Sequence, residues 1–325
     1  MLSRHAIQRA AAAGLLVAAA MSALPAAAPW ISAIASSLVG ARLYVDADSR
    51  ARQQADAWRS SRPADAAFMD RIASQPTATW FGSWNGDIRR DVDALAGRGA
   101  RDGSVPVMVA YNIPDRDCGS YSAGGARDAG AYQRWIRQFA AGLGGRRALV
   151  VLEPDAVAQS DCQVGDARGE RLSLLRDAVS VLKEAGAAVY LDAGHAGWIS
   201  PAAMAARLRN AGIAGADGFA LNVSNFIGTP ANAAYGDALS RLLGGAHYVI
   251  DTGRNGRGGP ANGEWCNAPE QSLGMLPTTR TGKPLIDAYL WIKTPGESDG
   301  SCNGGPPAGK WWPDYALTLA RNAAN

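Results

Sequence analysis

Ala148-Leu149-Val150-Val151-Leu152-Glu153-Pro154-Asp155, then Arg171–Ala185, then Ala187-Ala188-Val189-Tyr190-Leu191-Asp192, is the stretch on which the fold turns. Ala148–Leu152 is a short apolar run rich in β-formers. Arg171–Ala185 places Leu172, Leu175, Val179 and Leu182 at i, i+3, i+7 and i+10, on one face of a helix. Ala187–Leu191 is a second strand-like run. Strand, covering helix, strand implies two parallel strands joined by a crossover.

The same unit recurs outward in both directions. Further apolar runs lie at Thr79–Trp84, Pro106–Tyr111, Gly218–Leu221, His247–Ile250 and Ala288–Ile292. Amphipathic stretches at Asp87–Leu95, Ala131–Leu143, Pro201–Ala211 and Ala233–Leu243 separate most of them. About seven βα units predict an α/β fold: a seven-stranded parallel (β/α) barrel, TIM-like and able to be incomplete, rather than an open doubly wound sheet. Length alone suggests two domains, but barrels of 325 residues are routinely one. No Pro/Ser/Thr linker or internal repeat interrupts residues 40–325. The expected division is therefore an export signal over 1–28, a lead-in over 29–43 and one folded domain over 44–325.

Composition narrows the function. At 47% hydrophobic and 19% charged, the chain is neither disordered nor a coiled coil. A net charge of +3, with no basic run of five, gives no phosphate-neutralising stripe, so no nucleic-acid partner is expected. Three histidines leave little room for a His-rich metal site, and neither a metal nor a cofactor is expected. Arg4 and Arg9, the apolar Ala10–Leu24 and the small residues Ala26-Ala27-Ala28 read as an export signal. Pro29 is a poor residue after a cleavage site, so retention by an uncleaved anchor is the alternative to secretion. In an oxidising compartment Cys118, Cys162, Cys266 and Cys302 form two disulfides. Four cysteines allow three connectivities; pairing neighbours, Cys118–Cys162 and Cys266–Cys302, is the simplest.

Polar groups follow nearly every strand: Tyr111, Asp115 and Asp117; Glu153 and Asp155; Asp192 and His195; Asn222 and Asn225; Asp251 and Arg254; Lys293, Glu297 and Asp299. In a parallel barrel these converge on one mouth, where such folds place active sites. A carboxylate after a strand is usually a cap or turn residue, and Asp251 alone can be read so. Carboxylates after five of seven strands are harder to dismiss. Two motif matches fail. Gly296-Glu297-Ser298-Asp299-Gly300 fits G-x-S-x-G, but no helix can open after it and no histidine follows Ser298. Gly304–Lys310 imitates a phosphate loop, yet Trp311 stands where Ser or Thr belongs. What remains is hydrolysis by paired acids, one carboxyl protonated and another not, as in glycoside cleavage. Trp80, Trp84, Trp198 and Trp265 near strand ends suit sugar faces, whereas Trp135 and Trp291 read as core.

Five motifs carry a resemblance: Tyr111-Asn112-Ile113-Pro114-Asp115-Arg116-Asp117-Cys118, Val151-Leu152-Glu153-Pro154-Asp155, Tyr190-Leu191-Asp192-Ala193-Gly194-His195-Ala196-Gly197-Trp198, Gly263-Glu264-Trp265-Cys266-Asn267 and Trp291–Gly300. In this order the chain, from Tyr44 to Asn322, resembles glycoside hydrolase family 6, the endo-β-1,4-glucanases and cellobiohydrolases. The resemblance implies a distorted seven-stranded barrel that cleaves β-1,4-glucan with inversion. It gives Asp155 the general-acid position, Asp117 the role of raising the acid's pKa and joining a water relay, and Asp299 that of the debated base. Tyr111 would crowd the distorted sugar. Trp80, Trp198 and Trp265 match stacking positions, and Lys293 and Glu297 match polar groups that bind a glucose. Asp192, His195 and Asn225 complete the substrate-binding set, Asp192 and His195 for contact and site geometry. The family pairing of cysteines is Cys118–Cys162 and Cys266–Cys302.

One departure stands out. The family often has serine directly before the Gly-Gly pair; here Ala123 precedes Gly124-Gly125 and the nearest serine is Ser122. Either a one-residue shift keeps the role, or the water relay differs. Cellobiohydrolases of the family roof the cleft with long insertions, one just after the last of these motifs. Here only Gly300 and Ser301 separate Asp299 from Cys302, so the resemblance implies an endoglucanase, and a monomer acting on a β-1,4-glucan polysaccharide or oligosaccharide is expected. A cellobiohydrolase of the same family and a non-hydrolytic glucan-binding protein on the same fold are the alternatives.

Overall fold

The computed structural model describes residues 38–163 and 165–323. The expected export signal and most of the lead-in lie outside the described residues. Seven parallel strands form one sheet in sequence order: β1 Thr79–Phe81, β2 Val107–Ala110, β3 Leu149–Leu152, β4 Ala188–Asp192, β5 Gly218–Leu221, β6 His247–Asp251 and β7 Ile286–Leu290. Each pairs in parallel with the next. β7 returns towards β1 but meets it only through a single bridge between Thr77 and Trp291. The barrel is thus curled and almost closed, as an incomplete (β/α) barrel requires.

Among the described residues eight α-helices accompany the strands: α1 Arg50–Trp58, α2 Pro63–Ala73, α3 Ile88–Asp102, α4 Ala129–Leu143, α5 Asp166–Glu184, α6 Pro201–Asn210, α7 Thr229–Leu242 and α8 Pro313–Asn322. The crossovers α3 to α7 cover the outer face of the sheet. Their starts are written in the sequence: Asp87 and Asp128 accept backbone N–H bonds from Arg90 and Ala131 and cap α3 and α4. α3 runs seven residues past the expected end at Leu95. Gly97 and Gly99 look like breakers, but Gly99 serves close packing, since a Cβ there would stand 2.7 Å from Pro106. α1, α2 and α8 were not marked by strand–helix alternation, because they precede β1 or follow β7. They pack as a separate layer, with Met69, Ile72, Tyr315 and Leu319 buried around Trp291.

Period-two alternation sorts the strands into two cores. Met108, Val150, Val189 and Phe219 face the helices. Val109, Val151, Tyr190, Ala220, Val249 and Ala288 fill the barrel interior. The expected seventh run, Ala288–Ile292, begins two residues early at Ile286. Beyond Leu290 the backbone leaves its neighbour because the Asp251 carboxylate takes the N–H groups of Ile292 and Lys293. The first run also ends early, at Phe81, where Gly82 turns beneath the ring of Trp84.

The floor of the barrel is polar. Asp287, nearly buried, accepts from Tyr190 Oη at 2.7 Å and pairs with His247 Nδ1 at 2.7 Å. The hydrogen bond to Asp287 raises the His247 pKa against the opposing effect of burial. A histidine raised on folding stabilises fully below its unfolded value of 6.5 and loses that contribution as pH rises through the folded value. The urea midpoint is therefore expected to fall as pH climbs from 6 to beyond the folded pKa, and His247→Gln to flatten that slope. An equal slope in the variant would remove His247 from the floor's energetics.

Candidate active site

The inward face of the strands turns from apolar to polar at their C-terminal ends. Tyr111 continues the row of Val109, Asp192 that of Tyr190 and Asp251 that of Val249. Here the chain also departs from ordinary backbone geometry: Asp115, Asp117, Glu153, Asp155, Asn222 and Ser224 all have positive φ, from 48° to 68°. Each such residue costs on the order of 1–3 kcal/mol and persists only where its surroundings hold it.

Buried charges do the holding. Glu153, fully buried, accepts the backbone N–H of Asn112 at 2.9 Å and of Ile113 at 3.0 Å. Burial lifts its pKa to about 7 even though those N–H bonds oppose the rise. Arg171 donates to the carbonyls of Pro114 and Asp115, and Arg116 to that of Tyr111. The loop that ends at Asp117 thus hangs from one buried carboxylate and two guanidiniums. The Cys118–Cys162 disulfide ties its next residue to the β3 side, and Cys266–Cys302 ties the β6–β7 loop to the segment after β7. Both neighbour pairings are present.

A cleft of about 1290 Å³ opens across this end of the barrel. Asp155, Asp117, Asp299, Tyr111, Trp80, His195, Trp198, Asn225, Trp265, Lys293 and Glu297 line it. Asp192 does not. It is fully buried beneath the floor of the cleft, where it accepts the Asp155 N–H at 2.9 Å and that of Gly194 at 3.1 Å. Its place is site geometry, not sugar contact. Burial first, then the like charges of Asp192 and Asp117, push the Asp155 pKa well above its ordinary 3.8. Such a carboxyl keeps its proton where ordinary aspartates have lost theirs.

Asp117 is held differently. Its carboxylate accepts the Ser122 N–H at 2.7 Å and the Gln159 side-chain amide at 3.3 Å. Ser122 and Ala123 both line the cleft, and Ser122 is the one of the two that carries a hydroxyl. Asp299 is nearly buried. Its Oδ2 takes Arg254 at 2.8 Å and the Asn267 N–H at 2.9 Å, leaving Oδ1 towards Lys293 Nζ, 3.8 Å away. Burial raises the Glu297 pKa, against the pull of Lys293 and Arg254.

The aromatic groups frame the space. Trp80 donates its indole N–H to the Ile292 carbonyl at 2.8 Å and meets Tyr111 edge-on with centroids 5.2 Å apart. Burial and the nearby Asp155 and Asp117 raise the Tyr111 pKa, so its hydroxyl stays neutral. His195 packs against Trp198 with centroids 5.4 Å apart and donates Nδ1–H to Ala196. Burial lowers its pKa. Trp84, Trp198 and Trp265 are exposed, while Trp291 is buried.

The serine of the discarded G-x-S-x-G match is structural. Ser298 is fully buried, its hydroxyl donating to the Pro306 carbonyl at 2.7 Å. Asp251 proves to be a backbone anchor: besides Ile292 and Lys293, it accepts Ser224 and Gly253 N–H groups. Sequence reasoning did not assign roles to Arg254, Arg116, Asn267 or Tyr121. Arg254 stood in plain view after β6, but only the fold brings it against Asp299, 45 residues away.

The chain matches the Glycosyl hydrolases family 6 over residues 38–323. It belongs to that family. Endoglucanase A of Cellulomonas fimi is 44% identical over 283 residues, 86% of this chain and 61% of the relative's length. Endoglucanase 1 of Streptomyces halstedii is 42% identical over 317 residues, covering 93% of this chain and 96% of the relative. The solved endoglucanase Cel6 of Mycobacterium tuberculosis, in complex with methyl-cellobiosyl-4-deoxy-4-thio-β-D-cellobioside, is 45% identical, covers 88% of this chain and 98% of its own, and superposes with a TM-score of 0.83. This chain is accordingly a glycoside hydrolase.

The Arg254–Asp299 pair gives a measurable consequence for this family 6 site. Both side chains are almost wholly buried, and removing one partner of such a pair typically costs about 3–5 kcal/mol. Arg254→Met is expected to lower the urea midpoint correspondingly, with Arg254→Lys intermediate. An Arg254→Met protein as stable as the parent would show that the ion pair does not hold the β7 segment.

Proposed function

We propose that this chain is an exported, monomeric endo-β-1,4-glucanase that hydrolyses internal bonds of a β-1,4-glucan with inversion, its catalytic domain spanning residues 44–325 after a signal over 1–28 and a lead-in over 29–43. The observation that carries this reading is the place of Asp155, set against buried Asp192 and beside Asp117 in a cleft lined with tryptophans, where burial and like charge hold its pKa above the ordinary value. Asp155 donates its proton to the glycosidic oxygen as that bond breaks. Water is the nucleophile, so no carboxylate bonds to the sugar. Asp117 sets the acidity of Asp155 and joins the water relay with Ser122, whose N–H it already accepts. The Oδ1 of Asp299 is the oxygen free to take part in activating water.

Tyr111 crowds the sugar at the cleavage point. Trp80, Trp198 and Trp265 stack on glucose faces, Lys293 and Glu297 bind hydroxyls, and His195 and Asn225 complete the walls. Internal cleavage is supported by the short segment from Asp299 to Cys302, which leaves the cleft unroofed there. Two disulfides suit an extracellular, oxidising setting.

The test pairs viscosity with reducing-sugar release on carboxymethylcellulose. Viscosity is expected to collapse early, at low sugar release, and Asp155→Asn to lower kcat by about 10²- to 10⁴-fold with its fold intact. Sugar released at nearly constant viscosity would make the enzyme a cellobiohydrolase. No release above the Asp155→Asn background would make it a glucan-binding protein. Xylan and chitin are expected to resist.

A further inference from the structure

Tyr121 entered neither the motif reading nor the roles above, yet its position is unusual. It lies three residues beyond Cys118 on the loop after β2, and half of its surface is exposed. Its ring nevertheless rests on backbone of the segment after β7, across the seam where β7 returns towards β1. A Cβ on Gly300, one residue after Asp299, would meet the Tyr121 ring at 2.5 Å, so only glycine admits this contact. The same ring stands against Trp265 from the β6–β7 loop, with centroids 6.0 Å apart and planes at 59°. Trp265 is also about half exposed. Both rings line the cleft that contains Asp155.

Three separate segments thus meet at one aromatic contact, each fastened close by. Cys118–Cys162 anchors the Tyr121 loop, and Cys266–Cys302 joins the neighbour of Trp265 to the residue two beyond Gly300. With van der Waals contact at about 3.5–4.0 Å on each side, a sugar ring could not be sandwiched between rings 6.0 Å apart. The pair therefore offers one continuous, angled apolar wall rather than a slot. A flat glucose face can lie along that wall, where aromatic contacts contribute on the order of 0.5–1.5 kcal/mol.

We propose that Tyr121 is a specificity-determining residue that joins the β2 and β7 loops along one wall of the cleft and, with Trp265, grips the glucan beside the cleavage point. The inference rests on the glucanase reading above and adds a feature to it. A chain gripped here dissociates more slowly after a cut, so the enzyme makes more than one soluble product per encounter although most of its cleft is open. Tyr121 touches sugar in this scheme but takes no part in proton transfer.

The experiment compares the parent, Tyr121→Ala and Tyr121→Phe on cellohexaose and on acid-swollen cellulose, with Tm measured alongside. Tyr121→Ala is expected to raise KM for cellohexaose about two- to tenfold with kcat within about twofold. It is also expected to lower the ratio of soluble to insoluble reducing ends by about half or more, for the same loss of contact. Tyr121→Phe keeps the ring and is expected to match the parent on both counts. If Tyr121→Ala does not fold, Tyr121→Leu is read by the same criteria, since it keeps apolar bulk without a flat face. An unchanged KM and product ratio, or a fall in kcat alone, would overturn the proposal. A parent inactive on every β-1,4-glucan would instead overturn the glucanase reading.

Discussion

Asp155, Asp192 and Asp117 come together at the ends of β2, β3 and β4, where burial removes hydration and like charges accumulate. The fold pays for that crowding in stability: a carboxyl whose folded pKa lies above its unfolded value binds its proton more tightly in the native state, so stability falls as pH rises between the two values. Each tenfold weakening of its acidity costs about 1.4 kcal/mol once the group must ionise. The same cost is what makes the group useful. A carboxylic acid that keeps its proton can donate it to a leaving oxygen, whereas an ordinary aspartate at the same place could only repel the anion forming there.

The rest of the mouth is arranged around keeping that crowding tolerable. Backbone N–H groups absorb charge where side chains cannot: Asp192 takes those of Asp155 and Gly194, Glu153 those of Asn112 and Ile113, and Asp251 four others. These bonds hold the strand ends in left-handed conformations that would otherwise relax. Asp299 receives a different solution, a buried guanidinium and a nearby ammonium. One carboxyl is thereby destabilised as an anion and another is surrounded by cations, within one cleft. That separation of environments is what acid and base roles require.

Much of this was legible in residues alone. All seven strands were visible as apolar runs because a parallel barrel buries both faces of its strands. The mouth was visible because polar residues crowd strand ends, and the five ordered motifs identified the family. What sequence could not show was depth. Asp192 and Asp155 look alike as letters, yet one is sealed below the floor and the other opens on the cleft; only strand alternation together with loop conformation separates them. Asp251 and Ser298, both near catalytic-looking motifs, are held by backbone and do structural work. Helices α1, α2 and α8 escaped because nothing alternates with them. Arg254 and Tyr121 escaped because their partners, Asp299, Gly300 and Trp265, lie far along the chain.

The protonation of Asp155 is open to direct observation. In protein carrying ¹³C-labelled aspartate carboxyls, the resonance missing from Asp155→Asn can be followed through a pH titration of the parent. It is expected to move at higher pH than the bulk of the aspartate resonances, as burial and the like charges of Asp192 and Asp117 require. A resonance that titrates with the exposed aspartates near pH 4 would contradict the assignment of Asp155 as the acid held ready by its surroundings.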